Sequence, residues 1–169
     1  MTRLTVVRGD ITTQRVDAIV NAANRAMRGG GGVDGAIHRA GGPAVLRDCI
    51  ARFPDGLETG DAGWTTAGDL PARWVIHTVG PNFAGGERDR GLLVSAYRRS
   101  LEVADELGAA SVAFPLISAG IYGWPKGDAV DAAVVTLRTS PTSVGEVRIV
   151  AFDRATTDLV QRRIDAADT

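Results

Sequence analysis

Apolar residues in this chain fall into short runs that alternate with longer, periodic stretches. Leu4–Val7 and Ala18–Ile19–Val20 are compact β-branched runs, and each predicts a strand, the second a buried one. Residues 62–66 and 74–79 predict two more strands around a Gly-Asp-Leu-Pro turn. Between positions 92 and 107, Leu93, Tyr97, Leu101, Ala104 and Leu107 recur on one helical face, and Gly108 follows as the residue that ends the helix. Val112–Phe114 predicts a strand closed by Pro115, residues 128–137 a helix, 147–152 the last strand and 155–164 the last helix. Shorter helices are expected over about 35–40 and 44–52, with Gly41-Gly42-Pro43 separating them. Strands and helices alternate throughout, so the pattern predicts an α/β layered sheet with helices on both faces.

One segment fits neither period. Gly29 to Gly32 are four consecutive glycines, followed by Val33-Asp34-Gly35. Glycines bury no side chain and lose more backbone entropy on folding than any other residue, so the run needs a backbone reason. A Gly-rich turn entering a helix presents successive N–H groups as an anion cradle. Asp34 is expected to cap the helix that follows. A carboxylate inside a phosphate cradle is electrostatically odd, and it points to chemistry: beside a bound sugar it can orient or deprotonate a water.

A second Gly-rich segment, Ile117-Ser118-Ala119-Gly120-Ile121-Tyr122-Gly123, follows the strand ending at Phe114. It reads either as an ordinary strand–helix loop or as a second set of N–H donors, gripping a diphosphate from the other side. In open α/β sheets such loops converge beyond the carboxyl ends of the strands. Neither G-x-G-x-x-G after the first strand nor a P-loop is present. Asp10 reads as the cap of the turn Ile11-Thr12-Thr13 or as an acceptor for an exocyclic amine. Asn21 and Asn24 read as turn residues or as holders of sugar hydroxyls. Phe152 reads as core or as a base-stacking ring.

Composition narrows the classes. The 169 residues suit one domain, with 44% apolar and 23% charged side chains. The formal net charge of −1 gives no basic field, so direct nucleic-acid binding is not expected. Of the 19 cationic residues only Lys126 is a lysine, which leaves little room for lysine-based catalysis. Cys49 is the single cysteine, so no intrachain disulfide forms. No apolar run reaches membrane-helix length and no leader is evident, so a cytoplasmic protein is expected. His38, His77 and Cys49 lack metal-ligand spacing, and no metal is expected. His77, inside an apolar strand, reads as a satisfied core histidine.

Taken together, Gly9-Asp10-Ile11-Thr12, residues 17–24, residues 29–42, Val75 to Pro81 and Ala113 to Pro125 resemble the macrodomain family, in order and over nearly the whole chain. Within it the chain looks most like the MacroD-type branch, which includes bacterial O-acetyl-ADP-ribose deacetylases. Asn24 followed ten residues later by Asp34 is the most specific part of the match. The resemblance implies a three-layer α/β/α fold with a central mixed sheet, and an ADP-ribose site needing no cofactor. By position, Asp10 would hold the adenine amine beside the Ile11 backbone. Gly31, Gly32 and Val33 would face the diphosphate, and Ser118, Ala119, Gly120, Ile121 and Tyr122 would close its other side. Asn24 would hold the distal ribose, Asp34 would act on water or the ester, and Phe152 would stack on the base. The implied substrates are O-acetyl-ADP-ribose and proteins mono-ADP-ribosylated on Asp or Glu. A ribonuclease partner is implied by family resemblance only. Two departures stand out: Ala119 replaces a usual Thr, and Ala26-Met27-Arg28 is less neutral than usual, placing Arg28 where it would border the mouth.

Overall fold

The computed structural model describes residues 2–168. Six strands form one sheet: β1 (Arg3–Arg8), β2 (Ala18–Ala23), β3 (Ala62–Thr66), β4 (Trp74–Val79), β5 (Ser111–Phe114) and β6 (Glu146–Ala151), in the order β1-β6-β5-β2-β4-β3. β3 is antiparallel to β4 and all other neighbours are parallel, so the sheet is mixed, as expected.

The helices are α1 (Gly32–Gly41), α2 (Pro43–Arg52), α3 (Arg90–Leu107), α4 (Lys126–Thr139) and α5 (Arg154–Ala167). They divide between the two faces because the strands do. Ala18 and Val20 of β2, Ile76 of β4, Val112 and Phe114 of β5, and Ile149 of β6 share a core with α3, α4 and α5. Ile19, Val75, Ala113 and Val150 point the other way, toward Ile11, Val16 and Ile37 of α1. A smaller cluster of Ala23, Met27, Val45 and Cys49 seats α2. Strands buried on both faces read as unbroken apolar runs, which is why β2 and β5 were visible in the sequence.

Element boundaries differ from expectation in ways that matter. α1 begins at Gly32, with Gly31 as its N-cap, so Asp34 is not the cap. Gly32 takes φ +60, and this left-handed step lets the chain enter the helix three residues early. Asp34 then lies inside the first turn, and its side chain is drawn into the protein instead of back onto its own backbone. α1 also runs through Gly41, and only Gly42, with φ +79, separates it from α2. β6 ends at Ala151, which leaves Phe152 beyond the strand and free of the core.

Candidate active site

Because β1, β2, β4, β5 and β6 run the same way, the loops at their carboxyl ends gather at one edge of the sheet. They enclose a cavity of about 550 Å³, within the range of pockets that hold cofactor-sized ligands. Ile11 contributes from the β1 side, Asn24 and Gly31 to Asp34 from the β2 side, Ser118 to Tyr122 from the β5 side and Phe152 from the β6 side.

The first Gly-rich loop lines one wall of this cavity. No side chain caps the N-terminus of α1, so the first N–H groups of the helix remain available to an anion. A Cβ on Gly30 would lie 3.1 Å from Asp34 Oδ2 and 3.2 Å from Asn24 Nδ2, so only glycine leaves the space between these two side chains open. Asn24 also shapes the loop: its Nδ2 donates to Gly29 O at 3.2 Å and its Oδ1 accepts from Met27 N at 3.3 Å. An amide carries a second N–H, which is left for a ligand hydroxyl.

Asp34 is buried. Its Oδ1 accepts from Asn21 Nδ2 at 2.8 Å and lies 3.4 Å from His38 Nε2, one helical turn on. Oδ2 takes no hydrogen bond among the described residues. One carboxylate oxygen is therefore anchored, and the other is left beside Asn24.

The second loop closes the opposite wall. Ser118 adopts φ +66, a strained left-handed backbone for a residue with a side chain, and its buried hydroxyl has no hydrogen-bond partner among the described residues. Such strain clusters where backbone N–H groups must converge on a ligand. Ile121 is 73% exposed and its Cδ1 passes close over Gly31 and Gly32, where added Cβ atoms would sit 3.3 and 3.4 Å away. The two loops thus touch across the cavity. Trp124 fixes the end of this loop: its indole donates to Asp128 Oδ2 at 2.9 Å, and Arg90 of α3 pairs with the same carboxylate. These donors hold the Asp128 carboxyl below its usual range, the indole contributing most.

The remaining expected residues fall in different places. Asp10 stands between Gly9 and Ile11, and its Oδ1 accepts from Thr12 N and Thr12 Oγ1, as a turn cap does. Tyr122 is partly buried, and burial with the nearby Glu87 and Asp34 charges raises its phenol. Phe152 is 71% exposed on the cavity wall. Arg28 does not border the mouth as expected: its guanidinium donates to the carbonyls of Ala26, Met27 and Pro54, which stabilises the loop in which buried Met27 holds φ +59. Gly80, Lys126 and Thr156 also line the cavity, and none of them is among the site residues expected from the sequence.

Behind Asp34 lies a buried set that sequence spacing hid. Asn21 Nδ2 also reaches His77 Nδ1 at 3.1 Å, and His77 Nε2 lies 2.8 Å from Thr65 Oγ1 and 3.7 Å from Cys49 Sγ. Burial holds His77 down at about 3, helped by the neighbouring His38, and pushes the Cys49 thiol up to about 11. His77 is thus neutral and Cys49 unreactive at physiological pH. Both ring nitrogens of His77 are engaged, which leaves neither free for a metal.

Known proteins resemble this chain over nearly its whole length. The Macro domain family model matches residues 20–133. A Macro domain-containing protein of Streptomyces nogalater is 57% identical over 171 residues, covering 99% of this chain and 94% of that protein. An O-acetyl-ADP-ribose deacetylase of Citrobacter rodentium is 49% identical over 166 residues, covering 95% of this chain and 94% of that enzyme. A mutant Oceanobacillus iheyensis macrodomain solved with ADPR superposes with a TM-score of 0.93 at 36% identity, covering 99% of this chain and 94% of that one.

Proposed function

This chain belongs to the macrodomain family, and from that premise we propose that it is an ADP-ribose-binding hydrolase that removes ester-linked groups from ADP-ribose. Its substrates on this reading are O-acetyl-ADP-ribose and mono-ADP-ribose esterified to Asp or Glu of proteins. Likeness to a named deacetylase and to an ADPR-bound macrodomain supports the ligand.

The observation that carries the reading is the divided carboxylate of Asp34, with Oδ1 anchored to Asn21 and Oδ2 open beside Asn24. A binder of diphosphate gains nothing from a buried negative charge next to its cradle. A hydrolase does. Asp34 Oδ2 accepts a hydrogen bond from the attacking water and takes its proton as the water oxygen bonds to the acyl carbon. The acyl–oxygen bond then breaks, and the departing ADP-ribose hydroxyl takes the proton back. Asn24 holds the distal ribose, and the N–H groups of Gly32, Val33 and the 118–122 loop hold the diphosphate. Asp10 holds the adenine amine with Ile11 beside it, and Phe152 covers the base. Positioning and fixed charge supply the rate.

Wild type and Asp34→Ala are to be compared on O-acetyl-ADP-ribose and on a Glu-ADP-ribosylated protein, with calorimetry of ADP-ribose binding. Release of ADP-ribose by wild type, lost in a variant that still binds, is expected. Binding by both without turnover by either would leave a non-catalytic reader of ADP-ribose instead.

A further inference from the structure

We infer that His77, held in one tautomer by Thr65, is a positioning residue that fixes the orientation of the Asn21 amide and, through it, the carboxylate of Asp34. The inference rests on the hydrolase reading for its kinetic consequence.

Asn21 on β2 and His77 on β4 are register partners, and His77 is in turn the register partner of Gly63 on β3, two residues from Thr65. All three polar side chains are fully buried. Thr65 Oγ1 donates its proton to Thr66 O at 2.9 Å. A hydroxyl has one proton, so toward His77 Nε2, 2.8 Å away, it offers a lone pair, and Nε2 must carry the hydrogen. His77 Nδ1 is then a bare acceptor. It accepts one N–H of Asn21 at 3.1 Å, and the other N–H of the same group goes to Asp34 Oδ1 at 2.8 Å. Rotating the Asn21 amide by half a turn would aim its oxygen at a ring lone pair and a carboxylate at once. A backbone carbonyl of β3 thus dictates, through the side chains of Thr65 and His77, which way the Asn21 amide under Asp34 faces. The cost is visible: Asn21 Oδ1 is buried without a partner among the described residues. Packing alone does not demand a polar ring here, whereas orientation does.

The tests separate orientation from packing. Asparagine at position 77 sets an acceptor near where Nδ1 stands, and glutamine sets its polar group near Nε2 instead. His77→Asn is expected to keep kcat on O-acetyl-ADP-ribose within about 3-fold of wild type. His77→Gln is expected to lose up to about 100-fold in kcat, with ADP-ribose affinity unchanged, as a carboxylate misplaced by about an ångström does. Thr65→Ser should behave as wild type and Thr65→Val should fall between. Equal losses in His77→Asn and His77→Gln, or losses that follow Tm alone, would overturn the inference. If wild type itself releases nothing, the hydrolase reading fails. The positioning role is then decided by crystal structures of the two His77 variants with ADP-ribose. An Asp34 carboxylate rotated only in the glutamine variant supports it, and an unmoved carboxylate in both refutes it.

Discussion

Gly80 at the end of β4 and Ser118 in the loop after β5 touch so closely that a Cβ on Gly80 would lie 2.3 Å from Ser118 Oγ. It would also lie 2.5 Å from Ile117 Cγ2. Ile117 and Ser118 are both buried, so neither side chain can swing aside. The cradle wall therefore stands where it does because residue 80 has no side chain.

Gly80→Ala is expected to destabilise the protein by about 1–3 kcal/mol, as overpacking does, and to weaken ADP-ribose binding by displacing the 118–122 loop. Adding Ser118→Gly removes the hydroxyl and the strained φ together, and should restore part of both losses. Thermal unfolding and calorimetry read the two effects. Binding left at wild-type strength in Gly80→Ala would show that the loop does not hold the ligand.

Phe152 separates affinity from stability. It is 71% exposed, so Phe152→Ala should change stability by less than about 0.5 kcal/mol. If the ring stacks on the base, ADP-ribose affinity should fall by roughly 1–3 kcal/mol, with kcat at saturation little changed. Unchanged affinity would remove Phe152 from the site.

The sequence carried the sheet and the loops because their causes are local. The apolar runs of β2 and β5 and the stripe of α3 are periodicities, and the glycine run is a backbone demand readable without contacts. Asp34 reads as a cap in the sequence because capping is the ordinary role of Asp at a helix start, whereas the structure gives that role to Gly31. The true partner of Asp34, Asn21, is set by sheet packing. Asn21, Thr65 and His77 come from three strands, and no spacing rule joins them. Gly80 lies in the family-like segment Val75 to Pro81, but its role in the wall is not legible there for the same reason: its smallness answers to Ser118, 38 positions on.

Tyr97 ties α3 to the cradle. Its ring is buried against Phe114, and its Oη accepts from Ile117 N at 2.9 Å. Burial pushes this phenol well above its usual range, so it stays neutral. Tyr97→Phe keeps the packing and orphans a buried N–H one residue before Ser118. A loss of about 1–3 kcal/mol in stability is expected, with weaker ADP-ribose binding. Calorimetry and urea unfolding on the same samples check both, and binding unaffected by the change would detach the helix from the loop's geometry.

His77 gives the stability of the fold a pH dependence whose sign follows from burial. The imidazole titrates at about 3 in the folded protein and near 6.5 in an unfolded chain. Between those values the unfolded state binds a proton that the folded state does not. Stability from this residue is therefore fully present above about pH 6.5 and is lost progressively as the pH falls toward 3. The loss approaches about 1.4 kcal/mol per pH unit, or about 2 kcal/mol between pH 7.5 and 5. His77→Asn has no such group, so its urea-unfolding free energy should fall less over the same interval, by about that amount. Parallel pH profiles for wild type and variant would mean that the folded imidazole takes up its proton over the same range as the unfolded one. The acceptor it offers to Asn21 would then be lost as the pH falls through that range, and the orientation of Asp34 at lower pH would need another source.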